Sequence, residues 1–297
     1  MLKGILAGLA AGALWGFVFV APRMTPGLSS VDLAAGRFVS YGVLAALLMG
    51  LSPRSGRRPT LRQALFASVM SVLGFTGYYL LIVLAVRDIG TELPTLIIGT
   101  IPLWLMLLGK PQYMRWSTLA PGLLLTAAGL LLMMDVTHAA TAPAAALFYW
   151  RGVALALAAM ACWTAFAILN SAWLKRHPEV NATDWANWLG VATGIGALLL
   201  WAFAGSASKE LLALDNRSLL AIVCIATGIG SAWLATILWN VASQRLSASL
   251  CGQLIVSETL FALLYSFAWD AHWPAATQIL ASILFVVGIL LSIKAHR

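Results

Sequence analysis

The chain has 297 residues, 61% of them hydrophobic and 9% charged, with a mean hydropathy of +0.91 and a formal net charge of +8. A water-soluble domain needs roughly a quarter of its residues charged to solvate its surface, so this composition excludes a soluble fold and requires an outer surface that faces lipid. In lipid every backbone polar group must be paired internally, which leaves helices or a closed barrel; the apolar runs are long rather than alternating, and the fold class predicted is an all-α polytopic membrane protein.

A span takes about 20 mostly apolar residues. Ten are predicted, at 3–21, 31–51, 64–86, 93–109, 117–134, 146–172, 184–204, 217–239, 248–268 and 274–293, separated by breaks such as Ser52-Pro53-Arg54, Lys110-Pro111, His177-Pro178 and Trp273-Pro274. The first is read as a retained span, because Trp15 and bulky Phe residues interrupt it and similar runs follow. It carries Gly4, Gly8, Gly12 and Gly16 at every fourth position. Such a stripe lets two helix backbones approach closely, either as fixed packing or as a smooth face that slides.

Span two contains Arg37, which either snorkels to the interface or turns inward to pair with backbone carbonyls or an acid. Span three carries Tyr78 and Tyr79, about 100° apart on a helix, so only one faces a cavity squarely; Tyr78 is favoured. Span four holds Trp104 together with Pro94 and Pro102. Each proline removes a backbone donor and should kink the helix, which either frees carbonyls to line a cavity or is a harmless bend satisfied by Thr95 or Thr100.

Trp15, Trp163 and Trp239 sit deep in spans one, six and eight, away from the aromatic belts that span ends normally carry. Deep indoles pack helix interfaces, or they stack on aromatic substrates and attract ammonium groups. Span nine holds Glu258, the one carboxylate near the middle of any span. An ionisable group at that depth costs about 2.5–3.5 kcal/mol on insertion scales and should face the interior with a partner. Three roles stay open: contact with a substrate ammonium, proton exchange, or a protonated carboxyl bonding two helices. No basic partner at mid-span is assigned to it.

The N-terminus is placed inside, since the loops on that side then collect twelve of the 18 lysines and arginines against five outside, with Arg37 set within a span. Both termini are then cytoplasmic. Cys162, Cys224 and Cys251 fall inside apolar runs without paired spacing and read as small core residues, neither disulfides nor metal ligands.

The two halves echo one another. Ala13-Leu14-Trp15 with Phe17 parallels Ala161-Cys162-Trp163 with Phe166, and the stretch from Ala85 to Thr91 parallels that from Ala242 to Ala248. Five spans per repeat force the second copy to cross the other way up, an inverted repeat with its axis in the membrane plane. The halves are placed at residues 1–143 and 144–297 of one membrane domain, with spans three, four, eight and nine lining a central cavity.

Trp15-Gly16, Arg37-Phe38, the turn at Ala85, and Ser257-Glu258 before Ala262-Leu263-Leu264 resemble the drug/metabolite transporter superfamily in its ten-span, EamA-like form. Within it the chain is most similar to YddG-type exporters of aromatic amino acids; Thr164 stands where the first repeat has Gly16. The resemblance implies a secondary transporter that exports small amphipathic metabolites, aromatic or other hydrophobic amino acids foremost, across the inner membrane by alternating access. The expected partners are an amino-acid substrate and the bilayer, with no nucleic acid, no cofactor and a monomeric path. Trp15, Tyr78, Tyr79, Trp104, Trp163 and Trp239 are the candidate substrate-binding residues, and Glu258 and Arg37 the candidates for coupling or structure. An intramembrane enzyme is disfavoured: all four histidines lie in loops or the tail, and no HExxH or Walker loop is present. Other metabolites or drugs remain the alternative cargo.

Overall fold

The computed structural model describes residues 1–51, 58–90, 92–135, 146–214, 216–271 and 273–296. The proposed division at 143/144 lies outside them. Among the described residues the regular structure is entirely helical. We label the principal rods α1 (Leu2–Phe19), α2 (Ser30–Leu51), α3 (Leu61–Ile89), α4 (Leu93–Leu108), α5 (Trp116–Asp135), α6 (Ala146–Arg176), α7 (Ala182–Ala204), α8 (Arg217–Arg245), α9 (Ala248–Asp270) and α10 (Ala276–Ala295). Eight of them are long and apolar enough to cross a membrane; α4 and the apolar part of α5 are shorter.

Local chemistry sets the helix starts. The Thr60 hydroxyl accepts from the Gln63 amide while the Gln63 side chain accepts from the Thr60 amide, a reciprocal capping box. Asn181 and Ser247 cap α7 and α9 in the same sense. Helices α6 and α8 run to Arg176 and Arg245, beyond the predicted ends at 172 and 239. Hydropathy marks the stretch that fits hydrocarbon, whereas polar last turns such as Lys175-Arg176 keep their backbone bonds outside it.

Two irregularities were not predicted. Within α3, Val72–Thr76 is wound as a π-helix, and within α8 so is Gly228–Leu234. Each begins eleven residues after the start of its rod. A π turn inserts one extra residue and re-aims every side chain beyond it. In α3 that resetting falls immediately before Tyr78 and Tyr79, and in α8 five residues before Trp239.

The packing is reciprocal. α2 lies along α7, and α5 along α10; α1 lies on α8 and α9, while α6 lies on α3 and α4. Glycines mark the closest approaches. A Cβ on Gly42 would sit 2.6 Å from the Gly194 Cα, so α2 and α7 touch backbone to backbone. The α1 stripe faces α8 and α9: Gly4 meets Arg245 and Leu246, Gly12 meets Ser257, and Gly16 meets Phe261 and Ala262. At the start of α6, Gly152 meets Asp88 and Ile89 at the end of α3 in the same manner.

Buried polar side chains join helices that apolar contact alone would leave free to slide. Tyr41 donates to the Ala186 carbonyl at 2.6 Å. Asn170 donates to Asn240 at 3.1 Å and accepts from the Trp185 indole at 2.6 Å, tying α6, α7 and α8. Gln253 donates to Thr126 at 2.9 Å and accepts from Ser292 at 3.2 Å, tying α9, α5 and α10.

Candidate substrate site

Trp15 of α1, Trp163 of α6 and Trp239 of α8 converge. Their ring centroids are 6.3 Å apart for Trp15 and Trp163, 5.5 Å for Trp15 and Trp239, and 6.0 Å for Trp163 and Trp239, all tilted or edge-on. That geometry suits the ring quadrupole and contributes about 0.5–1.5 kcal/mol per pair beyond area burial. Trp239 is the anchor, 2% exposed, and its indole N–H is buried without a hydrogen-bond partner. Trp15 and Trp163 are half-buried.

The cluster continues as a track of rings. Trp163 touches Phe166, Phe166 touches Phe75, and Phe75 touches both Phe38 and Tyr41. Phe38 then meets the edge of Tyr79 at 6.3 Å. Sequence reasoning missed the three phenylalanines, because an apolar ring in an apolar helix carries no signal of its own. The π segment of α3 is what brings Phe75 to Phe166, with Gly74 leaving room for that ring.

At the far end of the track stand the two charged candidates. The Arg37 guanidinium lies over the Phe38 ring, 4.5 Å from its centroid, and its Nε is buried without a hydrogen-bond partner. It is turned into the protein rather than snorkelled to the interface. The charged neighbours of Arg37 include Glu258, and Tyr78 lies within electrostatic range of both. No basic residue was assigned to Glu258 from the sequence, because α2 and α9 are remote in it; only tertiary packing brings Arg37 within electrostatic range of the acid. Among the described residues the two charged side chains form no direct ion pair with one another and no side-chain hydrogen bond.

The tyrosines divide their work. Tyr79 donates its hydroxyl to the Ser30 carbonyl at 2.5 Å, locking α3 to the start of α2. Tyr78 is half-buried beside Glu258 and Arg37.

Trp104 does not join the cluster. It is 42% exposed and makes no ring contact among the described residues, on a helix whose buried face is Ile101, Pro102, Leu105 and Met106. Depth in a span does not say which face of a rod a residue occupies. The prolines also part company. Pro94 sits in the first turn of the segment Glu92–Gly99, where its missing donor costs nothing and requires no kink. The break falls at Thr100, ahead of the segment Ile101–Leu108, and there Pro102 lacks the N–H that would bond the Ile98 carbonyl. Thr100 repairs part of the interruption by donating to the Ile97 carbonyl at 2.6 Å.

α4 and α9 meet below this break. Gly109 accepts from the Ser249 amide at 3.2 Å, and Gly252 leaves room for Leu105. Two grooves lie away from the aromatic track. One of about 420 Å³ runs beside α2, α7 and α8 past Asp32, Trp201 and Arg217; the other, about 560 Å³, lies at the α4, α6 and α8 ends near Lys110, Lys175 and Arg245. Neither includes a residue of the tryptophan cluster.

No family model matches the sequence. The protein described as inner membrane protein YtfF of Escherichia coli (strain K12) is 29% identical over 313 aligned positions, spanning 99% of this chain and 96% of that one. A crystal structure with the description "Crystal structure of protein" superposes with a TM-score of 0.77 at 20% identity, covering 99% of this chain and 98% of the other. That likeness establishes a shared fold. The chain is a polytopic helical membrane protein.

Proposed function

We propose that the chain is a secondary transporter of the inner membrane, a ten-span carrier of the drug/metabolite transporter type. It moves small amphipathic metabolites, aromatic or other hydrophobic amino acids foremost, by alternating access between two inverted five-helix halves. Both termini lie in the cytoplasm, and one chain forms the path. The similarity to an inner membrane protein over nearly the whole of both chains supports the location.

The observation that carries the reading is the reciprocal packing. Numbering each half one to five, helix two meets helix two, four meets four and five meets five across the halves, and helix one of each lies on helices three and four of the other. An axis in the membrane plane generates such a pattern. The matching π segments of α3 and α8 and the matching contacts of Gly4 and Gly152 follow it in detail. Where two halves can exchange conformations, a site at their interface is exposed to each side in turn. Trp15, Trp163 and Trp239 come from both halves and meet there.

No coupling ion is assigned, and the carrier is facilitative: a substrate gradient alone drives export. The test is counterflow in proteoliposomes preloaded with unlabelled L-phenylalanine, with labelled phenylalanine outside. A carrier gives a transient, saturable overshoot of label. Linear, non-saturable entry, or none for any of a panel of amino acids, sugars and nucleotides, would end this reading.

A further inference from the structure

We propose that Arg37 and Glu258 form a bipolar clamp that reads both charges of a zwitterionic α-amino acid, so that solutes with only an ammonium or only a carboxylate are rejected. The inference rests on the proposed carrier reading and names what selects within its site.

The two groups are opposite in sign, sit within electrostatic range of one another, and yet make no direct ion pair. Their backbones are held in place. Gly228 of α8 abuts the Arg37 carbonyl, where a Cβ would lie 2.7 Å away; Gly12 and Gly16 of α1 abut the Glu258 amide and carbonyl, at 3.1 and 3.0 Å. Moving the helices to pair the two side chains directly would break these contacts. Both side chains are half-buried, and an ionised group at membrane depth without a partner is costly.

A zwitterion meets both needs at once. Its carboxylate takes the guanidinium, whose planar fork suits a carboxylate, and its ammonium takes the carboxylate of Glu258. The Phe38 ring backs one face of the guanidinium and restrains its orientation. The side chain of the bound solute then has an apolar wall at hand. That wall is the track of Phe38, Phe75 and Phe166, which runs from Arg37 to the tryptophan cluster. An amine would leave Arg37 unpaired, and a carboxylate would leave Glu258 unpaired.

The test compares three probes of one shape: L-phenylalanine, phenethylamine and 3-phenylpropionate. Binding is read by thermal stabilisation of the full-length protein purified in detergent, which needs no transport. In the wild type phenylalanine should act at concentrations at least about tenfold below either analogue, since a hydrogen bond to a charged group is worth about that factor or more. Arg37→Gln should abolish the discrimination against phenethylamine and keep that against 3-phenylpropionate; Glu258→Gln should do the reverse. Equal potency of either analogue in the wild type, stabilisation by none of the three, or loss of both discriminations together in either variant would overturn the clamp. The wild-type comparison decides the matter even if a variant does not fold. Counterflow without discrimination removes the clamp and leaves the carrier; discrimination without counterflow leaves the clamp and removes the carrier.

Discussion

The three tryptophans are chemically alike but differ in burial, and that difference separates two kinds of mutant. Trp239 is almost fully enclosed. Trp239→Ala should cost about 3–5 kcal/mol, the usual range for removing a buried large aromatic, and should appear as a lower melting temperature and less folded protein in detergent. Trp163 and Trp15 are half-buried. Trp163→Ala, and more weakly Trp15→Ala, should leave expression intact. Each should raise the half-saturating concentration roughly three- to tenfold, as expected for losing one ring contact of about 0.5–1.5 kcal/mol. Wild-type counterflow constants in both would make them packing residues. That these two rings meet was legible in the sequence, because the proposed repeat places them in register. Trp239 was chosen by depth alone and joins them, whereas Trp104, chosen on the same criterion, lies apart from the cluster. The proximity of Arg37 and Glu258 could not be read at all, since it depends on how α2 and α9 are set relative to α8 and α1.

Among the elements, small residues decide which helices touch. Gly42 and Gly194 bring α2 and α7 into backbone contact. Gly42→Leu should therefore force the pair apart, destabilising the protein by about 1–3 kcal/mol or more; Gly50→Ala in the same helix, where an added Cβ meets nothing within 4 Å, should be neutral. Thermal unfolding of the two variants side by side checks the contrast. The α1 stripe was legible because its spacing is a property of one helix. The π segments were not, because Val72–Thr76 and Gly228–Leu234 read as ordinary apolar helix; the packing of Gly74 against Phe166 and of Gly228 against α2 is visible only in the fold. Likewise Pro94 and Pro102 look equivalent in sequence. Only the helix start at Glu92 shows that the first lies where a missing donor is harmless.

For the whole molecule the proposed inverted repeat predicts a pair of exchangeable conformations. In this one, α4 and α9 are joined at the end marked by Gly109 and Ser249, while the broken segment Glu92–Gly99 and the later part of α9 carry on towards the opposite end. The exchange should part the joined end and bring the other together. Nitroxide labels report this directly: one pair at positions 113 and 245 beside the joined end, another at 95 and 269 towards the opposite end, in a background without Cys162, Cys224 and Cys251. Double electron–electron resonance distances should respond to saturating L-phenylalanine in opposite senses, the 113–245 distance lengthening as the 95–269 distance shortens. Two distances that stay fixed, or that change in the same sense, would contradict alternating access between inverted halves.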